Sequence, residues 1–112
     1  MPTASDELSL VFGALADPTR RDILSRLHNG PVTVGALAAP YAISRPAISQ
    51  HLRVLEDAGL IARTVTAQWR ECSIRETGLD EVSEWIAKHR AEWTERFDLL
   101  EERIAARRQE EK

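Results

Sequence analysis

Between Ser44 and Ile61 the chain reads SRPAISQHLRVLEDAGLI, and four side chains in it share one chemistry. Arg45, Ser49, Gln50 and Arg53 all donate hydrogen bonds, and helical spacing sets them opposite an apolar stripe of Ile48, Leu52 and Leu55. An arginine fork fits the O6 and N7 of guanine, and a glutamine amide fits the N6 and N7 of adenine. An outer face that is merely solvated more usually pairs Glu with Lys at i, i+4. Here the acids Glu56 and Asp57 are held back to the last turn, where the helix dipole disfavours them. That exchange makes sense if the N-terminal end meets phosphate.

The surrounding elements must hold this face outward. Ser44 is an N-cap candidate, Pro46 sits in the first turn, and Gly59 offers a left-handed stop, so a helix is predicted from about Arg45 to Ala58. Thr33 should cap a short helix through Leu37 and Ala38, ended by the Pro40 region and Ile43; residues 33–58 then read as a helix-turn-helix. Upstream, Ser5 should cap a first helix with an apolar face of Leu8, Val11, Phe12 and Leu15. Asp17-Pro18 restarts a second helix carrying Ile23, Leu24 and Leu27, which stops at Asn29-Gly30-Pro31. Downstream, Leu60 to Thr66 and Trp69 to Arg75 read as a hairpin over residues 60–75, with Ile61, Val65, Cys72 and Ile74 inward. Its turn, Thr66-Ala67-Gln68, lacks the glycine that a tight hairpin prefers.

From about Leu79 to Ala106 the pattern is one long helix. Val82, Ile86, His89, Trp93, Phe97, Leu100 and Ile104 form a sustained stripe. At 1.5 Å per residue such a helix is about 40 Å long, more than so small a domain can cover. The surplus, Trp85 included, argues for a partner helix.

The recognition segment, together with FGALADPTRRDILSRL (Phe12 to Leu27) and the hairpin, resembles the ArsR-type winged helix-turn-helix regulators over about Leu10 to Leu100. Its most specific pieces are Ala16-Asp17-Pro18-Thr19-Arg20-Arg21 and Ser44 with Ser49-Gln50-His51-Leu52. The resemblance implies a mostly α fold with a small β-hairpin and a long C-terminal dimerisation helix. It also implies a homodimer on double-stranded DNA with two-fold symmetry, and repression relieved by a signal. Arg45, Ser49 and Gln50 are the expected base readers, with Pro46 against a base methyl or sugar; Ser44, Arg53, Arg63 and Arg70 are expected on backbone. His51 is shared between a hydrogen bond to backbone and a phosphate contact, and Arg20 and Arg21 are given no DNA role. The expected dimer interface comprises Leu8, Val11, Phe12, Trp85, Ile86, His89, Trp93, Phe97 and Leu100, from residues 1–16 and 79–108.

Composition sets bounds on this reading. The 112 residues suit a single domain, 1–112, and the net charge of −3 by itself argues against a polyanion partner. Its distribution argues the other way: residues 41–75 hold five arginines against three acids, while residues 76–112 hold eleven acids against seven bases. Cys72 is the only cysteine, the N-terminus shows no basic-then-apolar pattern, and no apolar run approaches the ~20 residues of a membrane span. A cytoplasmic protein without membrane contact is expected.

Other chemistries find less support. No acid–base or nucleophile constellation can be assembled, so no enzyme is expected. The region VGALAAPY has no thiolate, and His89-x-x-Glu92 supplies only half of a zinc-type site, with Gly78 where an upstream ligand would stand. No metal and no cofactor are expected. Cys72 reads as a small hydrophobe before a redox switch. Trp85, Trp93 and Phe97 read as interface before effector pocket, which leaves room for a small-molecule effector of unspecified chemistry. The rival function is a winged helix that contacts protein and has no operator, which an exposed apolar recognition face would favour.

Overall fold

The computed structural model describes residues 4–111, and these divide into two compact units between Glu81 and Val82. Met1 to Thr3 of the expected N-terminal dimerisation segment, and Lys112, lie outside the described residues. In chain order the helices are α1 (Ala4–Leu15), α2 (Pro18–Arg26), α3 (Val34–Ala38), α4 (Arg45–Asp57) and α5 (Asp80–Glu110). The strands are β1 (Val32–Thr33), β2 (Ile61–Thr66) and β3 (Trp69–Ile74). Single 3-10 turns fill Leu27–Asn29 and Glu76–Leu79.

Most of the expected boundaries follow from caps that the structure contains. Asp17 accepts from the Arg20 amide at 3.0 Å, Thr33 from Ala36 at 3.2 Å and Ser44 from Ala47 at 3.3 Å, each satisfying one free donor of a first turn. Ser5 is different: α1 already begins at Ala4, so Ser5 is helical rather than a cap. At the far end of α4 the Leu60 amide reaches the Leu55 carbonyl (3.0 Å) and Gly59 reaches Glu56 (2.9 Å), with Gly59 at φ 76°. These two bonds are a Schellman stop, and the left-handed residue in it is best a glycine.

The sheet is antiparallel, ordered β1-β3-β2. β1 was not expected, because two residues are too few to show alternation; it pairs Val32 with Cys72 and Thr33 with Glu71. β3 is therefore central, and Cys72 on it is fully buried, as is Ile61 on β2. Val65 and Ile74, expected inward, are 70% and 43% exposed. Val65 lies beyond the body that covers the sheet, where alternation cannot bury it. Around Cys72 the core gathers Ile23, Leu27, Leu37, Ile48, Leu52, Leu55 and Leu60. Burying α4 along three of its residues fixes its rotation, and thus which side chains face out.

Gly78 marks a close approach. A Cβ there would lie 2.6 Å from the Gly59 carbonyl oxygen and 3.0 Å from Leu60 Cα. The turn after the hairpin thus seats directly on the link between α4 and β2.

α5, taken by itself, is a single helix of 31 residues, about 46 Å long. It begins at Asp80 and runs four residues past the expected end at Ala106.

Candidate nucleic-acid interface

The outer face of α4 carries the expected residues in the expected direction. Ile48, Leu52 and Leu55 are fully buried, while Arg45, Pro46, Ser49, Gln50 and Arg53 are exposed. The Ser44 oxygen is occupied as acceptor by the helix cap, which leaves its hydroxyl hydrogen to donate outward. Four donor side chains and a capped helix N-terminus thus share one open surface.

His51 does not join it in the way anticipated. Its Nδ1 lies 3.3 Å from Arg20 Nη1 and 3.9 Å from Asp17 Oδ2, and the side chain is 20% exposed. A guanidinium can only donate, so Nδ1 is the acceptor of this contact; the Asp17 distance is too long for a hydrogen bond. Arg20 also donates to the carbonyls of Ala14 (2.8 Å) and Gly13 (2.9 Å), and Arg21 donates to Leu15 (2.6 Å). They close the exposed carbonyl end of α1, where cations are favoured. Through Arg20, His51 ties the recognition helix to the α1–α2 junction. Asp17 is held below its usual carboxylate range, chiefly by the hydrogen bond from the Arg20 amide, with the Arg20 guanidinium charge adding to it against partial desolvation.

Arg63 departs further from expectation. Its Nη2 donates to the Ser49 carbonyl at 3.4 Å, and its Nε stands 3.8 Å from Glu56 Oε2 with no hydrogen-bond partner of its own. The side chain lies back along α4, so it braces the wing against the helix instead of pointing at backbone. Arg70, farther out, is exposed.

A second brace escaped the sequence altogether. Arg26 donates to the carbonyls of Leu37 (2.6 Å) and Ala36 (2.7 Å), and its guanidinium lies 5.4 Å from the centroid of Tyr41. The Tyr41 hydroxyl donates to Asp22, and burial, then this carboxylate, raise its pKa. These contacts close the end of α3 and fix the turn that presents Ser44. The partners stand 10 to 19 residues apart, and no periodicity links them.

The helix-turn-helix domain family matches residues 15–64, which hold α2 through most of β2. The chain is 48% identical over 66 residues to an HTH-type transcriptional regulator of Mycobacterium tuberculosis, covering 59% of this chain and 62% of that one. It therefore spans less than two thirds of that relative. It is 40% identical to the transcriptional repressor SdpR of Bacillus subtilis, over 68% of this chain and 84% of the repressor. Among solved structures, an ArsR family transcriptional regulator superposes with a TM-score of 0.77 and 37% identity, covering 84% of this chain and 97% of the other. This chain belongs to the ArsR family. An ArsR-like regulator from Rhodococcus sp. RHA1 gives 0.72 at 30% identity, covering 84% and 89%.

As an ArsR-family protein it is a DNA-binding transcriptional regulator. The family is one of regulators rather than enzymes. No helix among the described residues is long and apolar enough to cross a membrane.

The residues expected at a dimer interface divide in two. Val11 is 4% exposed and belongs to this chain's own core, and Leu8 is half-buried. Phe12, Trp85 and Ile86 are 39–44% exposed, and Trp93, Phe97 and Leu100 exceed half. His89 is held within α5: its ring stacks on Trp85 at 4.2 Å, and Nδ1 lies 2.9 Å from the Trp85 carbonyl oxygen. Among the described residues no group of three or more His, Cys, Asp or Glu is arranged to hold a metal ion. Cys72 is buried, and burial pushes its thiol pKa up, which disfavours the reactive thiolate.

Proposed function

We propose that this ArsR-family regulator is a cytoplasmic homodimeric repressor of an inverted-repeat operator. The observation that carries the reading is the division of α4, whose apolar stripe is fully buried while its arginine-, serine- and glutamine-bearing face is open. In the dimer, two α4 helices enter successive major grooves, about 10 bp apart. Arg45, Ser49 and Gln50 read base edges there, Pro46 lies against a base methyl or sugar, and Ser44, Arg53 and Arg70 take phosphates. His51 and Arg63 act indirectly, by holding α4 against the α1–α2 junction and against the wing.

The exposed stripe of α5 is a surface that a second copy covers. Trp93 and Phe97, at 60% and 64% exposed, are large apolar groups that a monomer would leave in water. A small molecule that binds along this stripe would alter the spacing of the two recognition helices, and so is the effector route consistent with relief of repression. A winged helix devoted to protein contact would carry an apolar recognition face, and this one does not.

The test is selection from a randomised duplex pool with the full chain. The expected product is an inverted repeat. Its affinity falls with log salt at a slope of about −7 if each subunit neutralises about four phosphates. Arg45→Ala and Gln50→Ala each relax preference at one position per half-site by about 1–3 kcal/mol. Recovery of no consensus, with binding flat in salt, would favour the protein-contact reading.

A further inference from the structure

Against the segment that follows β3 lies a recess that none of the readings above uses. It has a volume of about 450 Å³ and is bounded by the C-terminal half of α2 and by residues 74–79. Leu24, Leu60, Ile74 and Leu79 make its apolar walls. Leu60 is buried, whereas Ile74 and Leu79 are left 43% and 48% exposed. The polar groups that line it are Ser25, His28, Arg75 and Glu76. The Ser25 hydroxyl donates to the Arg21 carbonyl (3.1 Å), so its oxygen remains free to accept. A Cβ on Gly59 would stand 3.6 Å from Arg75 Nη1, which puts that guanidinium beside the α4–β2 link. Among the described residues the charged ends of Arg75 and Glu76 make no hydrogen bond and no ion pair. An apolar hollow of this size with a few polar groups is the usual form of a small-molecule site. Every lining residue lies within the unit that ends at Glu81, apart from the α5 stripe.

We propose that this recess binds an α-amino acid with an apolar side chain, and that its occupancy is felt at the joint between α4 and the wing. The head of the ligand follows from charge. An anion alone would meet Glu76, and a cation alone would meet Arg75. A zwitterion gives its carboxylate to Arg75 and its ammonium to Glu76 and the Ser25 oxygen, and each of these bonds is charge-assisted. The tail follows from the walls. An aliphatic or aromatic side chain set between Leu24, Ile74 and Leu79 removes apolar surface that the free protein leaves in water. The coupling follows from Leu60 and Arg75. The Leu60 amide bonds to the Leu55 carbonyl at the end of α4, and the Leu60 carbonyl accepts from the Arg75 amide at 3.0 Å. A ligand held by these two residues bears on the bonds that join the recognition helix to the hairpin. The coupling rests on α4 being the base-reading helix; the binding does not.

The experiment titrates the methyl-labelled full chain, first without DNA, with L-leucine, L-phenylalanine, isocaproate and isoamylamine. The last two are leucine without its amine and without its carboxylate. The methyls of Leu24, Ile74 and Leu79 are expected to shift with leucine or phenylalanine. Each fragment should bind about tenfold more weakly, the scale of one lost bond to a charged group. Glu76→Gln should weaken leucine and strengthen isocaproate, and Arg75→Gln should weaken leucine and strengthen isoamylamine. Both side chains are exposed, so neither substitution threatens the fold. No methyl shift at millimolar leucine or phenylalanine would overturn the proposal, as would isocaproate binding as well as leucine, or shifts confined to α5. Flat titrations together with loss of self-association in Ile74→Ser would make the recess a contact between copies. On the duplex selected with the full chain, the bound amino acid is expected to change affinity by about fivefold or more. Unchanged affinity at saturation would overturn the coupling. A chain that binds the amino acid but selects no consensus duplex would instead overturn the reading of α4.

Discussion

Gly78→Ala sets two effects of known sign against each other. Gly78 does not have a positive φ, so alanine there brings no backbone strain and, through the unfolded chain, a gain of about 0.4–1 kcal/mol. Against this, the new Cβ would stand 2.6 Å from the Gly59 carbonyl oxygen and 3.0 Å from Leu60 Cα, where ordinary contact begins at 3.4 Å. Both neighbours are backbone. They belong to the Schellman stop of α4, with Gly59 at φ 76° and Leu60 hydrogen-bonded to Leu55. They cannot yield by a change of rotamer, so the overlap should cost about 1–3 kcal/mol, as overpacking does. The clash wins, and the expected net loss is about 1–2 kcal/mol, a fall in melting temperature of roughly 5–10 °C. Thermal melts at matched protein concentration measure it, since dimerisation would make the midpoint concentration-dependent. DNA affinity should fall as well, because Gly59 and Leu60 join the recognition helix to the wing. Gly13 supplies the contrast: it lies within α1 with open space where a Cβ would go, so alanine there should stabilise by up to about 1 kcal/mol. Equal melting shifts for the two variants would refute the steric account of Gly78.

Ala67, at φ 55°, is the first residue of a two-residue hairpin loop, a conformation that costs an L-residue about 1–2 kcal/mol. Ala67→Gly should therefore raise the melting temperature by a few degrees, unless the wing opens before the domain does. Asp17 titrates below its usual value of 3.8, so its contribution is fully present above that pH and disappears as pH falls through the lowered folded value. Asp17→Asn keeps an N-cap oxygen without the charge, so its deficit in stability relative to wild type should shrink from pH 6 to pH 3 in paired melts. Native Cys72 should resist alkylation at pH 8 and react on unfolding; rapid modification of the folded protein would contradict its burial.

What could be read from the sequence was what depends on neighbours in the chain. Capping residues, the Asp17-Pro18 restart, the stripe of α4 and the Gly59 stop are local signals, and each named an element within a residue or two. The outward face of α4 followed from period alone. What escaped depends on distance. Nothing in the order of residues says that Arg20 would reach His51, 31 positions away, or that Arg26 would close α3. Arginine types were visible, but their partners were not, so Arg63 was expected on phosphate when it lies against α4. Alternation likewise placed Val65 inward because period reports a face, and it does not report how far the covering body extends.

The arginines that turned inward explain how the outward ones can be selective. A helix that reads bases must be held to within a fraction of an ångström, and hydrophobic burial alone permits small rotations and slides. α4 is restrained along its length by polar contacts of fixed direction: Ser44 at its start, His51 against Arg20 in the middle, and Ser49 and Glu56 against Arg63 on the wing side. Gly78, pressed on the Gly59 link, restrains the helix end. Each of these restraints lies within the unit that ends at Glu81. In the proposed dimer, a signal acting on α5 would then change the distance between two rigid heads and leave each head intact. A perturbation confined to α5, such as Phe97→Ala, should accordingly weaken binding to a two-half-site operator far more than to a single half-site. Equal losses on both duplexes would show that α5 shapes the reading head itself.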